Sequence, residues 1–219
     1  MKLSEFIIND IKPVNSMSKI KDLQMLFNQL TFSHVPVEDD NKTYLGSFSE
    51  TDAHCCESDK QLLDYRYSFE DFFVRDTTIL LDIIEAFAIN STNIMPVLNA
   101  RNEYLGYYEL NDMINLLGES PFFSEVGGVL VVEKGINDYS FSELSQIVES
   151  NDGKLLGAFI SKMNTDLVQI TIKIGGAGLN DIIQTFRRYS YNILSGHEED
   201  GYLETLKERS DYLNKYLNI

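Results

Sequence analysis

Apolar residues recur at helical spacing in two stretches sixty residues apart. In the first, Ile20, Leu23, Phe27 and Leu30 share one face behind Ser18, which is placed to cap the start; in the second, Leu80, Ile83 and Phe87 repeat the stripe behind Thr78. Each stretch is followed by two short strand-like runs, residues 34–37 and 44–49, then residues 94–98 and 104–109, with a polar turn such as Glu38-Asp39-Asp40-Asn41-Lys42-Thr43 between them. A second helix follows each hairpin. Shifted by sixty residues the chain matches itself: Asp22 falls on Asp82, Phe27 on Phe87, Pro36-Val37 on Pro96-Val97, Tyr44-Leu45-Gly46 on Tyr104-Leu105-Gly106, and Asp52 on Asp112. The chain therefore carries an internal duplicate. Proline removes a ladder donor, so Pro36 and Pro96 are expected on edge strands or where a ligand approaches bare backbone.

After Pro121 the repeat stops. An apolar run over residues 126–132, a helix over 140–149, two alternating strands, a helix over 178–189 and a strand over 191–194 give the order βαββαβ. Val168, Ile170, Ile172 and Ile174 alternate with Gln169, Thr171 and Lys173, which predicts a sheet with one buried and one wet face. Ser140 and Glu143 have capping-box spacing, and Leu179, Ile182, Ile183 and Phe186 form the stripe that would cover the sheet. A ferredoxin-like sandwich closes this pattern, so the fold class is α+β. Residues 201–219 read as a last helix, with Leu203, Leu206, Leu213 and Leu217 near one face, packed on its own domain or paired in a dimer.

Composition narrows the function. The 219 residues are 43% hydrophobic and 24% charged, enough to bury a sizeable core. No apolar stretch reaches the roughly 20 residues of a membrane span, since even residues 78–89 carry Asp82 and Glu85. The N-terminal residues have acids where a secretory signal needs an apolar core, so a cytoplasmic protein is expected. A net charge of −16, with Arg187-Arg188 as the only basic pair, argues against a nucleic-acid partner. Cys55 and Cys56 are sequence neighbours and read as reduced thiols; His54-Cys55-Cys56 lacks the usual spacing of a metal site, and the short acidic run His197-Glu198-Glu199-Asp200 reads as a solvated linker. Gly175-Gly176-Ala177-Gly178 lacks the Lys-Ser/Thr ending of a phosphate loop and reads as a turn before a helix. The histidines, His34, His54 and His197, have no recognisable nucleophile or acid partner, and an enzyme is not expected.

The duplicate resembles a tandem pair of CBS domains, a Bateman module. The resemblance rests on Ser33-His34-Val35-Pro36-Val37 and Asn93-Ile94-Met95-Pro96-Val97, followed by Gly46-Ser47-Phe48-Ser49-Glu50-Thr51-Asp52 and Gly106-Tyr107-Tyr108-Glu109-Leu110-Asn111-Asp112. It implies a CBS domain (β-α-β-β-α) over residues 1–60 and another over 61–119. The βαββαβ unit over 120–197 resembles an ACT-like domain, with a C-terminal helix over 198–219, and the combination resembles proteins of the acetoin-utilisation type. ACT domains that bind amino acids commonly carry Asp-x-Pro-Gly after the first strand; here the residues are Glu133-Lys134-Gly135-Ile136-Asn137-Asp138.

What the resemblance implies is a non-catalytic regulator that senses an adenosine-containing ligand of the AMP, ADP or ATP class and requires no cofactor. The binding residues it implies are Val35, Pro36, Ser49, Asp52, Arg75, Met95, Pro96 and Asp112, with the Asp holding ribose and the Ser or Thr near phosphate. Ser49 and Asp52 also have capping-box spacing, so a structural role accounts for them equally. The second copy departs from the pattern by placing Glu109 where a hydroxyl is usual, which sets a like charge beside phosphate; Arg75 is a candidate offset. A homodimer and an unidentified regulated protein are the expected partners. The alternatives are a ligand-free interaction module and, less favoured, a component of an acetoin-pathway enzyme.

Overall fold

Two helix-and-hairpin repeats build the first of two units, Met1–Gly118 and Glu119–Ile219, in the computed structural model, which describes residues 2–176 and 178–195. In the first repeat a short strand β1 (Val14–Asn15) leads to helix α1 (Ile20–Phe27), hairpin strands β2 (His34–Glu38) and β3 (Tyr44–Ser49), and helix α2 (Glu50–Cys55). The second repeat has β4 (Val74–Arg75), α3 (Leu80–Asn90), β5 (Ile94–Leu98), β6 (Tyr104–Glu109) and α4 (Leu110–Gly118) in the same order.

Neither Ser18 nor Thr78 caps its helix. Lys19 and Ile79 occupy the cap positions without a side-chain bond, while Thr78 Oγ1 accepts from the Arg75 N–H at 2.9 Å. The helices are held instead by their buried stripes, Ile20, Leu23 and Phe27 in α1 and Ile83 and Phe87 in α3.

The prolines are not on edges. β2 lies between β1 and β3, and β5 between β4 and β6. Pro36 pairs with Ser47, and Ser47 turns both its N–H and its C=O away, to Glu70 at 2.8 Å each. The missing proline N–H therefore points toward β1, whose pairing covers only Val37 and Glu38. Pro96 repeats this opposite Tyr107, past the end of β4. A central strand tolerates proline here because the neighbouring strand has already ended.

Each repeat is finished by the other's lead-in segment. Glu70, which precedes the second repeat, bridges to Ser47 of the first; Ile8, which precedes the first, bridges to Tyr107 of the second. Tyr65 and Phe69 pack on the core of Ile20, Leu23, Phe27, Val35, Val37, Phe48 and Leu62, whereas Leu3, Phe6 and Ile7 pack on the core around Ile83, Phe87, Met95, Val97, Tyr108 and Met113. The packing thus crosses residue 60. The crossing segments explain Gly106: at φ +153° a Cβ there would collide with the Ile8 carbonyl.

The second unit opens with a single-turn helix α5 (Pro121–Ser124), then runs β7 (Gly128–Gly135), α6 (Phe141–Glu149), β8 (Lys154–Met163), β9 (Leu167–Gly175), α7 (Leu179–Arg188) and β10 (Asn192–Ser195). The sheet order β10-β7-β9-β8, antiparallel throughout, is the ferredoxin-like arrangement. Leu144, Ile147, Leu179, Ile182, Ile183 and Phe186 bury one sheet face against Leu130, Val132 and the Val168-to-Ile174 alternation. Ser140 is the cap residue of α6 but makes no side-chain cap bond. Glu143 is drawn away to Lys134 Nζ at 2.6 Å, because a charged partner outcompetes a backbone N–H. The expected helix over 198–219 and the run His197 to Asp200 lie outside the described residues.

Candidate functional site

The strand alternation divides each hairpin into two faces. Val35, Val37 and Phe48 face the helices, which leaves His34, Pro36, Ser47 and Ser49 on the opposite, inner face. In the second repeat Met95, Val97 and Tyr108 face the helices, leaving Ile94, Pro96, Tyr107 and Glu109 on the inner face. The two repeats meet through residues sixty positions apart. Ser33 N–H donates to Asn93 Oδ1 at 2.8 Å, Asn93 N–H donates to Ser33 Oγ at 3.1 Å, and Asn93 Nδ2 reaches the Thr31 carbonyl at 2.8 Å.

On the first inner face, Ser49 ends β3 opposite His34 and caps α2, its Oγ accepting from the Asp52 N–H at 3.0 Å. The reciprocal half of the capping box is absent: the Asp52 carboxylate is half-buried, and among the described residues nothing donates to it. His34, 6% exposed, is held by Ser33 Oγ at 2.9 Å on Nδ1 and by Glu70 Oε1 at 3.2 Å on Nε2. Burial, followed by the nearby charges of Asp52 and Cys55, pushes the Cys56 thiol up.

The second inner face differs in chemistry at matching positions. Tyr107 stands where the first repeat has Ser47. Its hydroxyl donates to Asp10 Oδ1 at 2.6 Å, and Phe32 meets its ring edge-on at 5.4 Å. Burial first, then the bond to Asp10 and the charges of Asp10, Glu109 and Asp112, push the Tyr107 hydroxyl up, so it stays a donor. Glu109 replaces Ser49 and is pushed up by burial, then by Asp112 and Asp10.

Of the eight residues taken from the sequence, Ser49, Asp52 and Pro36 fall on or beside the first inner face, and Pro96 and Asp112 on or beside the second. Val35 and Met95 point their side chains into the helix-covered cores, leaving only their backbone near the inner faces. Arg75 belongs elsewhere: its guanidinium donates to the Asn99 carbonyl and to Asn102 Oδ1, and stacks on Phe73 at 4.7 Å, clamping the β5–β6 turn. Among the described residues no hydrogen bond or ion pair joins Arg75 to Glu109. Asn15, sixty residues earlier, makes the matching clamp to Asp40 at 2.8 Å.

Asp10, Phe32 and Glu70 were missed because they lie outside the two motifs. The signal was present, since Asp10 and Glu70 are themselves sixty residues apart. A further polar cleft of about 580 Å³, lined by Lys12, Lys42, Glu38, Glu103, Asn41 and Tyr104, lies beside the Thr43–Glu103 bridge that joins the hairpin tips.

Solved structures similar to this chain include CBS domain pairs. A CBS domain pair/ACT domain protein from Thermotoga maritima matches with a TM-score of 0.50 at 19% identity, covering 54% of this chain and 98% of that one. CBS domains of a transcriptional regulator from Streptococcus pneumoniae match with a TM-score of 0.47 at 14% identity, over 52% of this chain and 98% of theirs. A CBSX2 structure in complex with AMP matches with a TM-score of 0.46 at 18% identity, over 53% of this chain and 95% of its own. No protein-family model and no curated protein matches the sequence. The duplicated unit has the fold of a CBS domain pair. Among the described residues no helix is long and apolar enough to cross a membrane.

Proposed function

We propose that the chain is a non-catalytic regulatory protein whose CBS pair holds an adenosine-containing ligand of the AMP, ADP or ATP class in the cleft built on Ser49 and Asp52. The observation that carries this reading is the Asp52 carboxylate. It is half-buried, lacks a donor among the described residues, and sits beside the Ser49 hydroxyl, which shares the inner face with Pro36. Vicinal ribose hydroxyls are the kind of paired donor such a carboxylate accepts. The second cleft, with Asp10, Glu109 and Asp112, repels phosphate. The second unit is read as an ACT-like domain over residues 120–197, and the open edge of β8 supports pairing into a homodimer. Ligand binding acts on a protein partner or on the dimer only to the extent that it favours one arrangement of the pair.

Titration calorimetry of the full chain with AMP tests this. One site per chain is expected. Asp52→Ala should weaken it about a hundredfold, the loss of a charge-assisted bond pair, while Asp112→Ala leaves it within a few-fold. The opposite ranking, or no heat at all, overturns the reading.

A further inference from the structure

The sixty-residue symmetry matches α1 and α2 of the first repeat to α3 and α4 of the second, residue for residue. On the second pair lies an open groove of about 480 Å³, lined by Ile84, Phe87 and Ala88 of α3, by Leu110 and Ile114 of α4, and by Asn93 at the junction of the repeats. Leu81, 64% exposed, carries the stripe of Ile84 and Ala88 one turn further along α3.

The first repeat has Lys21, Gln24, Asn28, Glu50 and His54 where the second has Leu81, Ile84, Ala88, Leu110 and Ile114. Burial does not account for the exchange, because Lys21, Asn28 and His54 are exposed, as are Leu81, Ala88 and Ile114. In the first repeat Gln24 spans its two helices, donating to the Ala53 carbonyl at 2.8 Å and accepting from Ser58 Oγ at 3.0 Å; Ile84 can make neither bond. Single exposed apolar residues are ordinary, but five that replace polar ones along one groove mark a surface that something covers.

Charge decides what fits it. Asp82 and Glu85 are exposed on α3, Asn111 and Asn115 on α4, and neither helix carries a basic residue. A second copy seated here would bring the same acids and no cation to meet them. We infer that the groove of α3 and α4 docks an amphipathic helix of a partner protein, with apolar residues at i, i+3 or i+4 and i+7 entering between Ile84 and Ile114 and with Lys or Arg flanking them to meet Asp82 and Glu85. The docking does not depend on a ligand at Ser49 and Asp52.

The test uses a fluorescent 16-residue peptide of Leu and Lys with that spacing, titrated with the full chain at physiological salt and read by anisotropy. One peptide per chain should bind, and a scrambled peptide of the same composition or a Leu and Glu peptide of the same spacing should bind at least tenfold more weakly. The double variant Ala88→Asn/Ile114→His, which restores the first repeat's residues at exposed positions, should lose at least tenfold, whereas Ile89→Gln, on α3 but outside the groove, should bind within twofold of wild type. If the double variant fails to fold, Ile114→His alone decides. Equal binding of the scrambled peptide, unchanged binding by the folded variant, or no binding by wild type overturns the inference. Sedimentation of the same proteins adds one more outcome: a wild-type dimer that dissociates in the double variant gives the groove to a second copy and overturns it as well.

Discussion

The two repeats of the first unit share a backbone and differ in chemistry. Register, strand order, proline placement and the crossing lead-in segments recur sixty residues apart, yet Ser47 becomes Tyr107, Ser49 becomes Glu109, Phe48 becomes Tyr108 and Asn15 becomes Arg75. The conserved part is what the fold needs: alternate apolar residues against the helices, and a glycine where the neighbouring segment approaches. Two of these changes, Ser47 to Tyr107 and Ser49 to Glu109, fall on the inner faces, where they alter the size and charge of the side chains presented. The backbone of the two repeats recurs while the chemistry of their inner faces does not.

The largest expected effect should be equal in the two repeats. Phe27→Ala and Phe87→Ala, at residues each 2% exposed, should each cost about 3–5 kcal/mol in chemical denaturation. A large gap between them would show that the cores are not equivalent. Next comes the contrast in AMP affinity between Asp52→Ala and Asp112→Ala, about 2.7 kcal/mol if the hundredfold loss holds. Similar losses for both would make the clefts alike.

A smaller change makes the repeats more similar. Tyr108 is fully buried and among the described residues its hydroxyl has no hydrogen-bond partner, whereas the first repeat has Phe48 there. Tyr108→Phe should raise stability by about 1 kcal/mol, the cost of burying an unpaired hydroxyl; a loss measured by urea denaturation would reveal an unseen role for that group. The smallest effect is pH-dependent. The folded Glu109 carboxyl is held above its unfolded value, so the folded state binds the proton more tightly, and stability falls as pH rises through the interval between the two values. Glu109→Gln should therefore melt higher than wild type at neutral pH, with the advantage vanishing below about pH 4. An advantage that persists in acid would point to packing rather than charge.

Much of this was legible in the sequence where periodicity carries information. The hairpins, the helix stripes and the βαββαβ order follow from which residues must be buried, and β3, β5 and β6 begin and end where alternation does. Helix starts were read less well. Ser18, Thr78, Ser140 and Glu143 have capping chemistry, but local competition took Thr78 to Arg75 and Glu143 to Lys134. The prolines suggested edges because a sequence does not reveal where a neighbouring strand stops. Ser49 and Asp52 stood out by motif, while Asp10, Phe32 and Glu70 acquire meaning only through contacts across the repeat. Arg75 shows the same limit: its charge is visible in the sequence, but not the Asn99–Asn102 turn that its guanidinium holds.

The exchanged lead-in segments also govern how the chain must fold. Ile8 leaves the ribosome about a hundred residues before Tyr107, its bridging partner, so the outer edge of β6 is bridged by a contact of very long sequence separation. A polypeptide halted after the first repeat has no Glu70 segment to cover β3, and its own N-terminal segment has nowhere to bind. Such a half-made unit would expose unpaired strand edges, and its native contacts would be gained together, late, once both duplicates exist.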